Sequence, residues 1–158
     1  MIAYSAIMIT IRRAGLDDID ALVALQWRAS LENVAYAEDL KANPDAISLP
    51  AEQVSDGHVF LAERDGKLAG FAVALPRVDG DFELDGLFVD PDHWRYGIGR
   101  ELTDRCVAHA LISGAQRLHV IAAPEAFGFY EVVGFVATGD VATQFGPAIT
   151  MELSIAGR

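Results

Sequence analysis

The segment Leu87-Phe-Val-Asp-Pro-Asp-His-Trp-Arg-Tyr-Gly-Ile-Gly-Arg-Glu-Leu102 decides how this chain is read. A strand-like run ends at Val89, Asp90-Pro91 turns the chain, and Gly97 and Gly99 remove side chains where a helix begins. The first N–H groups of a helix have no partner within it and point outward along its axis. Together with the positive end of the helix dipole they form a pocket suited to a pyrophosphate. Arg95 and Arg100 flank that pocket. It is not a Walker loop, because no Lys-Ser/Thr follows the glycines, nor a dinucleotide fingerprint, because the strand ends well before them. By themselves the two glycines would also serve merely to ease a loop into an amphipathic helix.

Reading outward, Phe82 to Val89 is a strand whose regular alternation predicts Phe82, Leu84, Gly86 and Phe88 on one face. Glu83, Asp85, Leu87 and Val89 then share the other. Upstream, Ile7–Arg12, His58–Glu63 and Leu68–Leu75 read as strands, with a tight turn at Arg64-Asp-Gly-Lys67 and another at Asp79-Gly-Asp81. Leu16, Ile19, Leu22, Val23 and Trp27 mark one face of a first helix. A weaker helical region covers Tyr36 to Asn43, and Leu49-Pro50 opens a short turn. Downstream, a helix runs from the glycines to Ser113 and stops at Gly114, followed by a strand Arg117–Ala122. Pro124 starts a helix ending near Val133, and strands Phe135–Gly139 and Ala148–Ile155 flank a loop at Asp140–Pro147. The strand–helix–strand unit from Phe82 to Ala122 predicts a right-handed parallel crossover, and the short hairpins predict antiparallel pairing elsewhere. The expected fold is α/β (α+β): one mixed, mainly antiparallel twisted sheet of about seven strands with helices on both faces. Residues 1–158 are expected to form a single domain with a core at 9–155 and an N-terminal extension at 1–8.

The chain has 158 residues and carries 12 basic against 23 acidic side chains, a net charge of −11. That charge argues against nucleic acid, whose phosphates demand a cationic footprint, and against docking on anionic lipid. Cys106 is the only cysteine, so an intrachain disulfide and a cysteine-based zinc site are excluded. No basic, apolar leader opens the chain and no apolar run is long enough to span a bilayer, so a cytoplasmic location is expected. No residue pattern points to a metal.

The opening segment resembles the coenzyme A-binding motif of the GCN5-related N-acetyltransferase (GNAT) superfamily, through Leu87-Phe-Val89, Pro91, Gly97-Ile-Gly99 and Leu102. Pro124-Glu-Ala-Phe-Gly-Phe-Tyr-Glu-Val-Val-Gly-Phe135 is similar to the family's second motif. With the order of elements around them, the two cover nearly all of Ile9 to Leu153. Three positions depart. Trp94 stands where the family usually has Arg or Gln, and Arg95 where glycine often follows. Glu125 replaces an Asn and is expected to turn away from cofactor phosphates.

The resemblance implies acetyl-CoA as acyl donor and transfer to a primary amine by direct attack in a ternary complex. Leu87, Phe88 and Val89 would pair with the pantetheine arm, and a fourth-strand amide, that of Val89, would hold the oxyanion. Arg95, Tyr96, Gly97, Ile98, Gly99 and Arg100 would hold the pyrophosphate, with Phe129 beside them. Tyr130 is the implied general acid and Glu83 the implied base. Trp27, Tyr36 and Asp85 are expected to contact the acceptor, with Glu38 and Asp39 nearby. The expected acceptor is a small-molecule amine. A peptide or protein N-terminus, or a non-catalytic CoA-sensing module, remains the alternative, and the resemblance leaves a homodimer open. His119, beside the gap between strands, is read as structural, and Cys106 as a small core residue.

Overall fold

The computed structural model describes residues 6–158, apart from the side chains of residues 34–36. Most of the expected N-terminal extension therefore lies outside the described residues. Seven strands form one sheet: β1 (Ile9–Arg13), β2 (Val59–Arg64), β3 (Lys67–Pro76), β4 (Phe82–Val89), β5 (Arg117–Ala122), β6 (Val136–Thr143) and β7 (Gly146–Ser154). Their spatial order is β1-β2-β3-β4-β5-β7-β6, and only the β4–β5 pair is parallel. Among the described residues five α-helices accompany them: α1 (Ile19–Leu31), α2 (Val34–Ala42), α3 (Ala51–Ser55), α4 (Ile98–Ile112) and α5 (Phe127–Val132). None is long and apolar enough to cross a membrane among the described residues.

Alternation along the central strands builds the core on both faces. Phe60 and Ala62 of β2 join Phe82, Leu84 and the buried side of α4 (Leu102, Cys106, Ala110). Val59 and Leu61 point the other way, to Phe71, Val73 and the buried residues Leu22 and Leu25 of α1. Each fully buried side chain of this kind contributes roughly 1.5–3 kcal/mol. The hairpin β2–β3 turns on Asp65 (φ 51°) and Gly66 (φ 81°), the left-handed pair that a two-residue turn needs to match strand twist.

Strand β4 departs from the regular alternation expected of it. Val73 pairs with Gly86 and Ala74 with Leu84, so Asp85 is an extra residue, a β-bulge. The bulge resets the faces. Leu87 and Val89 pack against the α4-side cluster that holds Phe82 and Leu84, whereas Phe88 packs on the α1-side cluster. Leu87 and Val89 are thus parted from Glu83 and Asp85, contrary to the simple period-two reading. A second correction concerns Asp140–Pro147, expected as a loop. Its residues are mostly strand, because β6 and β7 pair from Val136↔Glu152 up to Thr143↔Gly146. The turn expected at Leu49-Pro50 leads directly into α3, with Pro50 as its N-cap.

Asp81 anchors the start of β5. Its Oδ1 accepts the Gln116 and Arg117 main-chain N–H groups at 3.1 Å each, and its Oδ2 lies 2.8 Å from His119 Nε2. His119 therefore has a structural partner. Asp79 comes close enough to complete an acid–acid–imidazole group, but it too is engaged, by Arg77 and the Asp81 N–H.

Candidate active site

Strands β4 and β5 pair only at Phe82↔Leu118, Glu83↔His119 and Leu84↔Val120, and then part. On the other edge β4 stays joined to β3 as far as Gly70↔Val89. The Asp90 N–H bonds the Ala69 carbonyl, so by alternation the main-chain groups of Leu87 and Val89 face the gap. The gap offers a strand edge with no strand on it.

The glycine segment closes one end of this gap. Gly97 (φ 79°) is the N-cap of α4, and Arg95, where the family often has glycine, adopts the same left-handed backbone at φ 71°. Gly99 is needed for a different reason. A Cβ there would lie 3.2 Å from the Phe129 ring, tighter than an ordinary contact, so glycine lets the ring seat on α4 without shifting. A cavity of about 650 Å³ results, bordered by Leu87, Val89, Arg95, the Gly97–Arg100 turn, Phe129 and Tyr130. Of the residues expected on the donor, Tyr96 lies outside it. Its ring is instead covered by the Arg64 guanidinium, 3.6 Å from the ring centroid. Phe88 turns to Phe71, with ring centroids 5.3 Å apart, and borders the neighbouring cavities.

Tyr130 is buried between the edges of Phe129 and Phe135. Burial, with a smaller contribution from Cys106, pushes its phenol far above the ordinary value, so it stays protonated. Burial likewise pushes the Cys106 thiol up to about 12, which makes it an inert core residue.

A second cavity, of about 670 Å³, lies on the α1 side and is bordered by Ala29, Ser30, Glu32, Asn33 and Phe88. Leu87, Val89, Trp94, Glu125 and Ala126 are common to both cavities. Glu125, expected to turn away, is at this partition, and its carboxylate accepts a hydrogen bond from Asn33. A third, smaller cavity of about 230 Å³ holds Asp85 among Gln26, Ser48 and Gln53. Asp85 keeps solvent access, yet the surrounding cavity walls desolvate its carboxyl and raise its pKa. Glu83 borders none of these cavities and is 3.8 Å from Arg77. Trp27 is half-buried one residue beyond the cavity-lining Gln26, and the Tyr36 side chain lies outside the described residues.

Sequence reasoning passed over two residues here. His93 is buried, accepts the Arg64 Nε–H at its Nδ1 (2.9 Å) and borders the cavity of about 650 Å³. Asp90 is held by Arg28 of α1 at 2.7 Å. Burial works to raise the Asp90 carboxyl, but Arg28 and the Asp92 N–H outweigh it and hold it below the usual range. Asp90-Pro91 read only as a turn, and nothing nearby in sequence announced Arg28.

A family model described as an acetyltransferase (GNAT) domain matches residues 34–155. The chain belongs to the GNAT acetyltransferase family. Solved structures agree with that fold. The yncA protein of Salmonella typhimurium, solved with acetyl-CoA, is 20% identical, with 96% of each chain covered and a TM-score of 0.72. The ribosomal-protein-S18-alanine N-acetyltransferase of Escherichia coli is 23% identical over 96% of each chain, with a TM-score of 0.69. Nourseothricin acetyltransferase is 26% identical with a TM-score of 0.56, over 61% of this chain and 64% of that one. Curated protein sequences give no match. The parted β4 and β5 leave an open gap between them.

Proposed function

We propose that this GNAT protein transfers the acetyl group of acetyl-CoA to a small, positively charged primary amine. The observation that carries this reading is the meeting of two cavities at the free edge of β4. One carries the N-terminal turn of α4 with Arg95 and Arg100, and the other adds Glu32 to the Glu125 that both share. The unpaired amides of the Gly97–Arg100 turn, aided by Arg95 and Arg100, suit a pyrophosphate. The exposed edge of Leu87 and Val89 suits an amide-bearing arm lying as an added strand. Glu32 and Glu125 border the second cavity and Asp85 the third, which favours a cationic acceptor over a neutral one. The complex of a related fold with acetyl-CoA supports the donor, and nourseothricin acetyltransferase offers a precedent for a small-molecule acceptor.

The reaction follows direct attack. The acceptor ammonium must lose a proton before its nitrogen reaches the thioester carbonyl. Of the two carboxylates on the acceptor side of β4, we assign this proton to Asp85, whose raised pKa favours accepting it. Glu83, the base implied by resemblance, is the second carboxylate on that side. The Val89 N–H, facing the gap, is assigned to the oxyanion. Tyr130 is assigned to give its proton to the departing thiolate, since its hydroxyl makes no hydrogen bond to the described residues and stays protonated.

The test measures thiol release over a panel of di- and monoamines, aminoglycoside-type compounds and peptides. Acetyl-CoA is expected to raise Tm, and a cationic small amine to turn over. Absence of a Tm shift at millimolar acetyl-CoA would overturn the donor assignment. Tyr130→Phe is expected to lower kcat by roughly 10²-fold with the acetyl-CoA KM little changed. Asp85→Asn should abolish the acid limb of the pH–kcat/KM profile. If Glu83→Gln does so instead, the proton belongs to Glu83.

A further inference from the structure

The Val89 carbonyl is already occupied. Phe88 turns its carbonyl toward β3, so close that a Cβ at Gly70 would come within 2.7 Å of it. Alternation therefore directs the Val89 carbonyl into the gap beside β4, where no strand receives it. The Trp94 indole N–H donates to it at 2.9 Å. The loop geometry makes this contact. The helical turn Pro91–His93 ends at Trp94 (φ −66°, ψ 154°), and the left-handed Arg95 that follows folds the chain back over the end of β4. Trp94 is 49% exposed and stands where the donor and acceptor cavities meet. Packing alone does not account for an aromatic so open to solvent, whereas its hydrogen bond is made to a group on the donor's own path.

We propose that Trp94 is a self-plug of the donor channel. In the free protein its indole N–H holds the Val89 carbonyl, and it yields that acceptor to an amide N–H of the incoming pantetheine arm. The inference rests on the donor assignment made above. The exchange conserves hydrogen bonds: one N–H leaves the carbonyl and another replaces it, while the indole turns to water. The plug therefore tunes donor affinity rather than preventing binding. It also makes acceptor access depend on the donor, because the ring stands at the partition between the cavities.

The experiment uses the full chain with Trp27→Phe, leaving Trp94 as the sole tryptophan, and follows its indole ¹⁵N–¹H resonance and fluorescence. Coenzyme A is expected to move both signals. Adenosine 3′,5′-bisphosphate, which lacks the arm, should bind without moving the indole resonance. Trp94→Phe keeps the ring and removes the N–H, and is expected to tighten acetyl-CoA binding by about three- to tenfold in calorimetry. An indole resonance unmoved by bound coenzyme A, an equal response to the bisphosphate, or unchanged or weaker binding by Trp94→Phe would each overturn the plug. Each of these would leave the donor assignment standing. A protein that binds no coenzyme A at all, judged by Tm, would overturn the donor assignment and the plug with it.

Discussion

Gly97 and Gly99 stand two positions apart and are required for unlike reasons. Gly97 has open space around its missing Cβ but a backbone at φ 79°, so Gly97→Ala is expected to cost about 1 kcal/mol through strain alone. At Gly99 the backbone is ordinary, and the added methyl would press on the Phe129 ring at 3.2 Å. Gly99→Ala is expected to cost about 1–3 kcal/mol by overpacking, and also to weaken acetyl-CoA binding by shifting the wall of the donor cavity. Urea denaturation alongside calorimetric donor binding separates the two effects. Equal losses of affinity in both variants would contradict the distinction. Both glycines were legible in the sequence as a pair, but the close approach of Phe129 was not, because it depends on how α5 docks.

Strands are most legible in this sequence where turn chemistry brackets them. β4 and β5 begin and end where Asp79-Gly-Asp81, Asp90-Pro91, Gly114 and Pro124 punctuate the chain. The bulge at Asp85 was not legible, because Glu-Leu-Asp-Gly-Leu-Phe is compatible with unbroken alternation. The extra residue emerges only from pairing with β3. The full length of β6 is not legible, because its residues are nearly all exposed on an edge strand and leave no burial pattern to follow. The Tyr130 and glycine segments were recognised through their motifs, whereas the acceptor-side cavity walls come from four separate elements and carry no local signal. The Arg28–Asp90 contact ties α1 to the end of β4. Arg28 is 53% exposed, so Arg28→Met is expected to cost only about 1 kcal/mol in chemical denaturation. A loss above several kcal/mol would show the pair to be worth more than an ordinary screened contact.

For the whole molecule, acidity has a defined effect on stability. Asp18, Asp81 and Asp90 are held below the usual carboxylate range in the folded chain. Their contribution is present above an unfolded pKa near 4 and is lost as pH falls through the lower folded values. His109 is also depressed, first by burial and then by His58, Arg13 and Arg105. Its contribution is complete above about pH 6.5 and declines below it. From these groups Tm is expected to fall gently below about pH 6.5 and steeply below about pH 4, whereas Asp85, whose carboxyl is raised by burial, works in the opposite sense. A Tm that rose on acidification from neutrality would contradict this assignment. The net charge of −11 is compatible with the proposed polyanionic donor, because main-chain dipoles at Gly97–Arg100, with Arg95 and Arg100 beside them, would hold its phosphates without a net positive chain. The parting of β4 and β5 after three residue pairs has a mechanical side. The sheet consists of two half-sheets sharing one short seam, with α4 as the strap between them. A ligand that fills the gap acts as mortar, so bound donor should slow hydrogen exchange at the Leu87 and Val89 amides and stiffen the two halves into one body.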